Sequence, residues 1–88
     1  MRVEWDEAKR KANLRKHGVE FADALSVLDD PRAVTIEDRD HDEQRFVTLG
    51  LDVFGNLRVL VYTYRGSDTI RILSARPAEP HERRQYEE

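Results

Sequence analysis

Leu57-Arg58-Val59-Leu60-Val61-Tyr62-Thr63-Tyr64-Arg65, then Gly66-Ser67-Asp68, then Thr69-Ile70-Arg71-Ile72-Leu73-Ser74-Ala75-Arg76 is the stretch that decides the fold. Two runs rich in β-branched and aromatic residues flank a short Gly-containing turn, which reads as an antiparallel hairpin. Side chains alternate along a strand. In the second run Ile70, Ile72 and Ser74 should share one face, with Arg71, Leu73 and Ala75 on the other. Arg71 thus stands on a face that could have been wholly apolar, and Arg76 closes the strand. A guanidinium in such a place needs a carboxylate, a phosphate or water, because burying an unpaired charge is costly. The plainer account is an internal ion pair, with Glu4 or Glu82 as partner; the functional one is anion binding, to which the planar fork of arginine is suited.

Outward from the hairpin, further strands are predicted over Ala33–Glu37 and Arg45–Leu51, the latter reaching Leu57 through the turn Asp52-Val53-Phe54-Gly55-Asn56. In Leu57–Arg65 one face carries Leu57, Val59, Val61 and Thr63. The other carries Arg58, Leu60, Tyr62 and Tyr64, a mixture that suits a groove or interface better than deep core. Val3-Glu4-Trp5 reads as a short strand. Asp6 is a good N-cap for a helix over residues 7–17, with Glu7 in the first turn, basic residues toward the end and Gly18 at C′. Its apolar stripe is thin, and Asn13 sits inside it with no capping role. A second helix is predicted from Glu20 to Leu28, because Phe21, Ala24, Leu25 and Leu28 follow helical spacing. Asp29-Asp30-Pro31 ends it. A short helix over residues 80–86 closes the chain. Two helices followed by a run of strands predict an α+β fold, with N-terminal helices packed on a small, mainly antiparallel sheet and a short C-terminal helix.

Eighty-eight residues suffice for one small domain, 1–88, and 38% of them are charged. The absence of cysteine removes disulfides, thiolate zinc sites and thiol nucleophiles, and fits cytoplasmic residence. No apolar run approaches the roughly 20 residues that cross a bilayer, and Met1-Arg2-Val3-Glu4-Trp5-Asp6 is not a signal peptide. The net charge of −3 is unevenly distributed. Residues 1–17 hold six Lys/Arg against three acids and residues 44–76 hold five against two, whereas residues 18–43 hold two against nine. A positive patch is therefore compatible with a negative total.

The inventory of chemistry is short. Lys9 and Lys16 lie seven apart, on nearly one helix face with Ala12 between them, and are either a solvated basic face or phosphate contacts. His17, His41 and His81 are widely separated. The acidic run Glu37-Asp38-Arg39-Asp40-His41-Asp42-Glu43 offers hard oxygen ligands without the glycine and spacing of a calcium loop, so no metal site is expected. Glycine loops that cradle phosphates are missing, and nothing indicates a nucleotide or organic cofactor. Arginines, lysines, histidines, Glu82 and Tyr86 on a small sheet fit RNA cleavage without metal. The substrate brings its own 2′-hydroxyl nucleophile, a base removes the proton, and arginine stabilises charge on phosphorus.

Trp5-Asp6-Glu7-Ala8-Lys9, Asn13-Leu14-Arg15-Lys16-His17-Gly18-Val19-Glu20-Phe21, Asp42-Glu43-Gln44-Arg45, Val61-Tyr62-Thr63, Arg71-Ile72-Leu73-Ser74-Ala75-Arg76 and Glu82-Arg83-Arg84-Gln85-Tyr86-Glu87, in that order, closely resemble the BrnT toxin family. The resemblance implies a RelE/ParE-like fold and a type II toxin that cleaves RNA and halts translation. It also implies a BrnA-type antitoxin, DNA-binding and ribbon-helix-helix-like, in a 2:2 heterotetramer that reaches operator DNA only through the antitoxin. An antitoxin lying over the basic patch would inhibit by competing for phosphate sites. Among residues matching the motifs, Arg71 and Arg76 become the expected stabilisers of the transition-state phosphate, and Glu82 or His17 the general base. Tyr86 is a further acid or base if its ordinary pKa near 10 is lowered. Lys9, Lys16, Arg45, Arg58 and Arg83 are the expected RNA contacts. Glu82 could equally be an ion-pair partner of Arg71 or Arg76. Two other functions stand beside cleavage: a ParE-like toxin that blocks a protein target without cutting anything, and a degenerate toxin retained as a corepressor.

Overall fold

The computed structural model describes residues 1–39 and 44–88. Five strands form one sheet in the order β1-β5-β4-β3-β2: β1 Arg2–Glu4, β2 Val34–Asp38, β3 Arg45–Leu51, β4 Leu57–Arg65 and β5 Thr69–Pro77. All neighbours are antiparallel except β1, which runs parallel to β5 with Glu4 opposite Arg71. Three α-helices accompany the sheet: α1 Glu7–His17, α2 Phe21–Ala24 and α3 Pro80–Glu87. The molecule is thus α+β, as the order of patterns implies. No helix among the described residues is long and apolar enough to cross a membrane.

The ends of α1 follow the sequence. The Asp6 carboxylate accepts from the amides of Ala8 and Lys9, and Gly18 adopts φ 69°, which only glycine reaches without strain. The second helical segment departs from expectation. It is α-helical only over α2 and then tightens into a 3-10 helix, Leu25–Asp29. The residues that reach zero exposure are Phe21, Ala24 and Val27. Their spacing of three is the period of a 3-10 turn, so Val27 joins the buried row. Leu25 and Leu28, expected in that row, pack only partly buried against its side.

β4 and β5 also depart from simple alternation. Tyr62 pairs with Ile72, but Val61 pairs with Ser74, leaving Leu73 unopposed in a β-bulge. Beyond the bulge the faces exchange, and Ala75, not Ser74, joins Ile70 and Ile72 in the core. Leu60 and Tyr62, expected to line a groove, are instead buried at 0% and 3% exposure beneath α2. The Tyr62 hydroxyl is satisfied by Thr48 at 2.9 Å, and Thr48 by Thr35 at 2.8 Å, so the buried phenol loses no hydrogen bond. A smaller apolar cluster, Leu49, Leu57 and Val59, occupies the opposite face, where Ala78 and Tyr86 pack against it. Sheet alternation therefore serves two apolar layers, one under the N-terminal helices and one toward α3.

Candidate functional site

α1 takes up a position along β5 where β1 stops, and Asn13 is the reason. Its side-chain amide donates to the carbonyl of Ala75 at 2.7 Å and to that of Val19 at 3.2 Å, while its oxygen accepts from the Ala75 amide at 3.1 Å. One strand residue thereby has both backbone groups satisfied by one side chain, as a neighbouring strand would satisfy them. Asn13 is 8% exposed, unusual for a polar residue within a helix. With α1 pinned in register against β5, its basic residues border a groove.

That groove has two adjoining lobes. One, about 520 Å³, is bounded by Lys9, Gln44, Thr63, Arg65, Arg71 and Leu73, among others. The second, about 300 Å³, is bounded by Lys9, Ala12, Lys16, His17, Leu73 and Ser74, with Asn13 at its base. Lys9 and Leu73 belong to both, and Leu73 is the bulge residue. Two guanidiniums that line the first lobe share the carboxylate of Glu4. Oε1 of Glu4 accepts from Arg65 at 2.9 Å and from Arg71 at 3.4 Å. The Arg71 contact is long for a charged hydrogen bond, and Arg65 is largely exposed, so both can be shared with an incoming anion.

The remaining candidates from the sequence fall elsewhere. Arg76 is held in two-point fashion by Glu82, at 2.7 and 2.8 Å, and the same carboxylate caps α3 by accepting from the Glu79 amide. Hydrogen bonding to Arg76 holds the Glu82 carboxyl below its usual range and raises the Arg76 guanidinium in turn. The Tyr86 hydroxyl donates to Asp30 at 2.6 Å. This bond raises the phenol above its ordinary value of 10.0. Asp30 is lowered, first by the Leu51 amide and next by Tyr86. Arg76, Glu82 and Tyr86 therefore fasten α3 to the sheet. Arg58 bonds Asp52 at 3.3 Å beside the 52–56 turn, Arg83 is exposed on α3, and Arg45 is half-buried at the start of β3.

Of the residues named from sequence, the groove gathers Lys9, Lys16, His17 and Arg71. Arg65 and Thr63 were not anticipated there; their signal was the hairpin itself, which sets Thr63 opposite Arg71. Asn13 was visible as an anomaly, a polar residue inside a helix with no cap to make. Among the described residues no group of three or more side chains suited to a metal ion is found. Of the acidic 37–43 run, residues 40–43 lie outside the described residues, and with them His41 and part of the Asp42-Glu43-Gln44-Arg45 motif.

A sequence profile described as the ribonuclease toxin BrnT of type II toxin–antitoxin systems matches residues 5–82. The fold is similar to the crystal structure of the Brucella abortus ribonuclease toxin BrnT, with a TM-score of 0.67 and 26% identity over 90% of this chain and 97% of that one. A search of curated proteins returned no match.

Proposed function

Because the chain belongs to the BrnT family of ribonuclease toxins of type II toxin–antitoxin systems, we propose that it cleaves RNA in the groove between α1 and β5. The observation that carries this reading is the convergence of Lys9, Lys16, His17, Arg65 and Arg71 on two adjoining cavities that share Lys9 and Leu73, in a chain whose net charge is −3. Lys9 and Lys16 contact phosphates as point charges. Arg71, half-buried and only weakly held, stabilises the charge that builds on the non-bridging oxygens as the 2′-oxygen attacks. The product is a 2′,3′-cyclic phosphate, and the reaction proceeds without a metal ion because the substrate supplies its own nucleophile. His17 and Lys16 hold the strand in the second lobe. Arg76, Glu82 and Tyr86 act through α3 and not on the phosphate.

The family implies an antitoxin partner. In this reading the partner is of BrnA type, forms a 2:2 complex, carries any operator binding, and inhibits by lying over the groove. Cleavage of messages in the cytoplasm then arrests translation.

Labelled RNA incubated with purified protein, with and without EDTA and with and without ribosomes, tests the reading. Chelator-insensitive cleavage is expected, with Arg71→Ala and Lys9→Ala each reducing it by about 10²–10³-fold and Arg84→Ala, at an exposed position of α3, leaving it unchanged. Absence of cleavage under every condition would overturn the proposal in favour of a toxin that acts by binding or a degenerate one retained as a corepressor.

A further inference from the structure

We infer that Glu4 is the general base of the groove, the group that takes the proton from the attacking 2′-hydroxyl. The inference deepens the RNA-cleaving reading and rests on it. The other carboxylates with described partners are committed to structural bonds. Both oxygens of Glu82 are held by Arg76, Asp30 accepts from the Leu51 and Arg32 amides and from Tyr86, and Asp52 accepts from the Phe54 and Asn56 amides and from Arg58. Glu7 and Glu20 both serve Arg10. Glu4 differs in place and in valence. It is the carboxylate bonded to the groove's own guanidiniums, and both of those bonds fall on Oε1. Its Oε2 accepts no hydrogen bond among the described residues, and the side chain is 38% exposed, so one oxygen remains open to a substrate.

Register places it where a base is needed. β1 runs parallel to β5, and Glu4 stands opposite Arg71 on the adjacent strand, about 4.8 Å away in the pairing direction. A phosphate that takes Arg71 and Arg65 as its donors brings the preceding ribose against the Glu4 carboxylate. The step balances as follows. Glu4 accepts the 2′-hydroxyl proton while the 2′-oxygen bonds to phosphorus. The bond from phosphorus to the 5′-oxygen breaks with its electron pair on that oxygen, and the Lys9 ammonium, which borders the same lobe, protonates it. Exchange with water then returns a proton to Lys9 and removes one from Glu4. The charged groups that meet Glu4 among the described residues are Arg65 from β4 and Arg71 from β5, with Lys9 from α1 bordering the same lobe as those two guanidiniums.

Glu4→Gln separates a base from a positioning residue. The amide oxygen still accepts from Arg65 and Arg71, but the side chain cannot take a proton. On intact protein of unchanged thermal stability, kcat is expected to fall by about 10²–10⁴-fold, while RNA binding is unchanged or tighter because a negative charge has left the groove. Glu4→Asp should recover part of kcat. If wild-type protein cleaves RNA and Glu4→Gln keeps kcat within a few-fold, or loses activity only through KM, the inference is overturned while the parent reading stands. If wild-type protein does not cleave, the parent reading fails and this one with it.

Discussion

At the scale of single residues, Asn13 does most to turn a scaffold into a site. Four hydrogen bonds at one side chain join α1, the Val19 turn and β5. Asn13→Ala leaves the Ala75 amide and two carbonyls without partners in a place water does not easily reach. Destabilisation by about 1–3 kcal/mol is expected from unsatisfied buried groups, read as a lower urea midpoint at unchanged m. A midpoint within error of wild type would mean that α1 is held by other contacts. The sequence pointed to Asn13 only as an oddity, since an asparagine inside a helix is disfavoured unless something off the helix rewards it. Which partner it meets depends on a residue 62 positions away, and no local pattern encodes that. Arg71 shows the same limit from another side. Its place on a strand face was legible, yet whether it meets an acid or open groove was a tertiary matter. It meets both, loosely through Glu4 and openly across the lobe shared with Lys9.

At the scale of elements, local chemistry fixed ends better than interiors. Asp6 and Gly18 bound α1 because cap preferences act within a few residues. The interiors of the second helix and of β5 escaped because a one-residue change of period is invisible until packing chooses it: Val27 enters the core through a 3-10 turn and Leu73 steps out as a bulge. α3 is fastened largely by polar groups, the Arg76–Glu82 pair and the Tyr86–Asp30 bond, so its attachment should respond to pH. Glu82 and Asp30 sit below their ordinary values in the folded state. The stability they add is thus present above the usual carboxylate range and is lost as pH falls through their lowered values. Tyr86 is raised, and its contribution, present below about pH 10, is lost only as pH climbs through that higher value. Hydrogen exchange of the α3 amides should accelerate below about pH 4 beyond the intrinsic trend. In Glu82→Gln the helix should already be loose at pH 7, with less left to lose in acid. Retention of the full acid response in that variant would exclude Glu82 as its source.

At the scale of the whole molecule, charge is segregated more than summed. The basic segments 1–17 and 44–76 supply every cation of the groove, although the chain is acidic overall. Binding of single-stranded RNA through Lys9, Lys16, Arg65 and Arg71 should therefore weaken with salt. A slope near −3 in a plot of log affinity against log salt concentration is expected for about four phosphate contacts, falling toward −2 when Lys16 is replaced by Ala. A slope near zero would place RNA elsewhere, and a slope unaltered by bound antitoxin would show that the partner leaves the groove uncovered. The segregation was legible from composition along the chain; its convergence on one side was not, because it requires α1 to lie beside the strand contributed by the other basic segment.

The unopposed Leu73 carries a lesson about which changes this chain can survive. Upstream of it β5 presents even-numbered side chains to the core, and downstream it presents Ala75. Were Leu73 paired instead, alternation would run on through it, turning Ser74 and the guanidinium of Arg76 inward against the aliphatic interior and stranding Ala75 outside. Lineages descended from such a chain can shed that one residue and keep the core side chains of β5 facing inward, giving up only a wall shared by the two lobes.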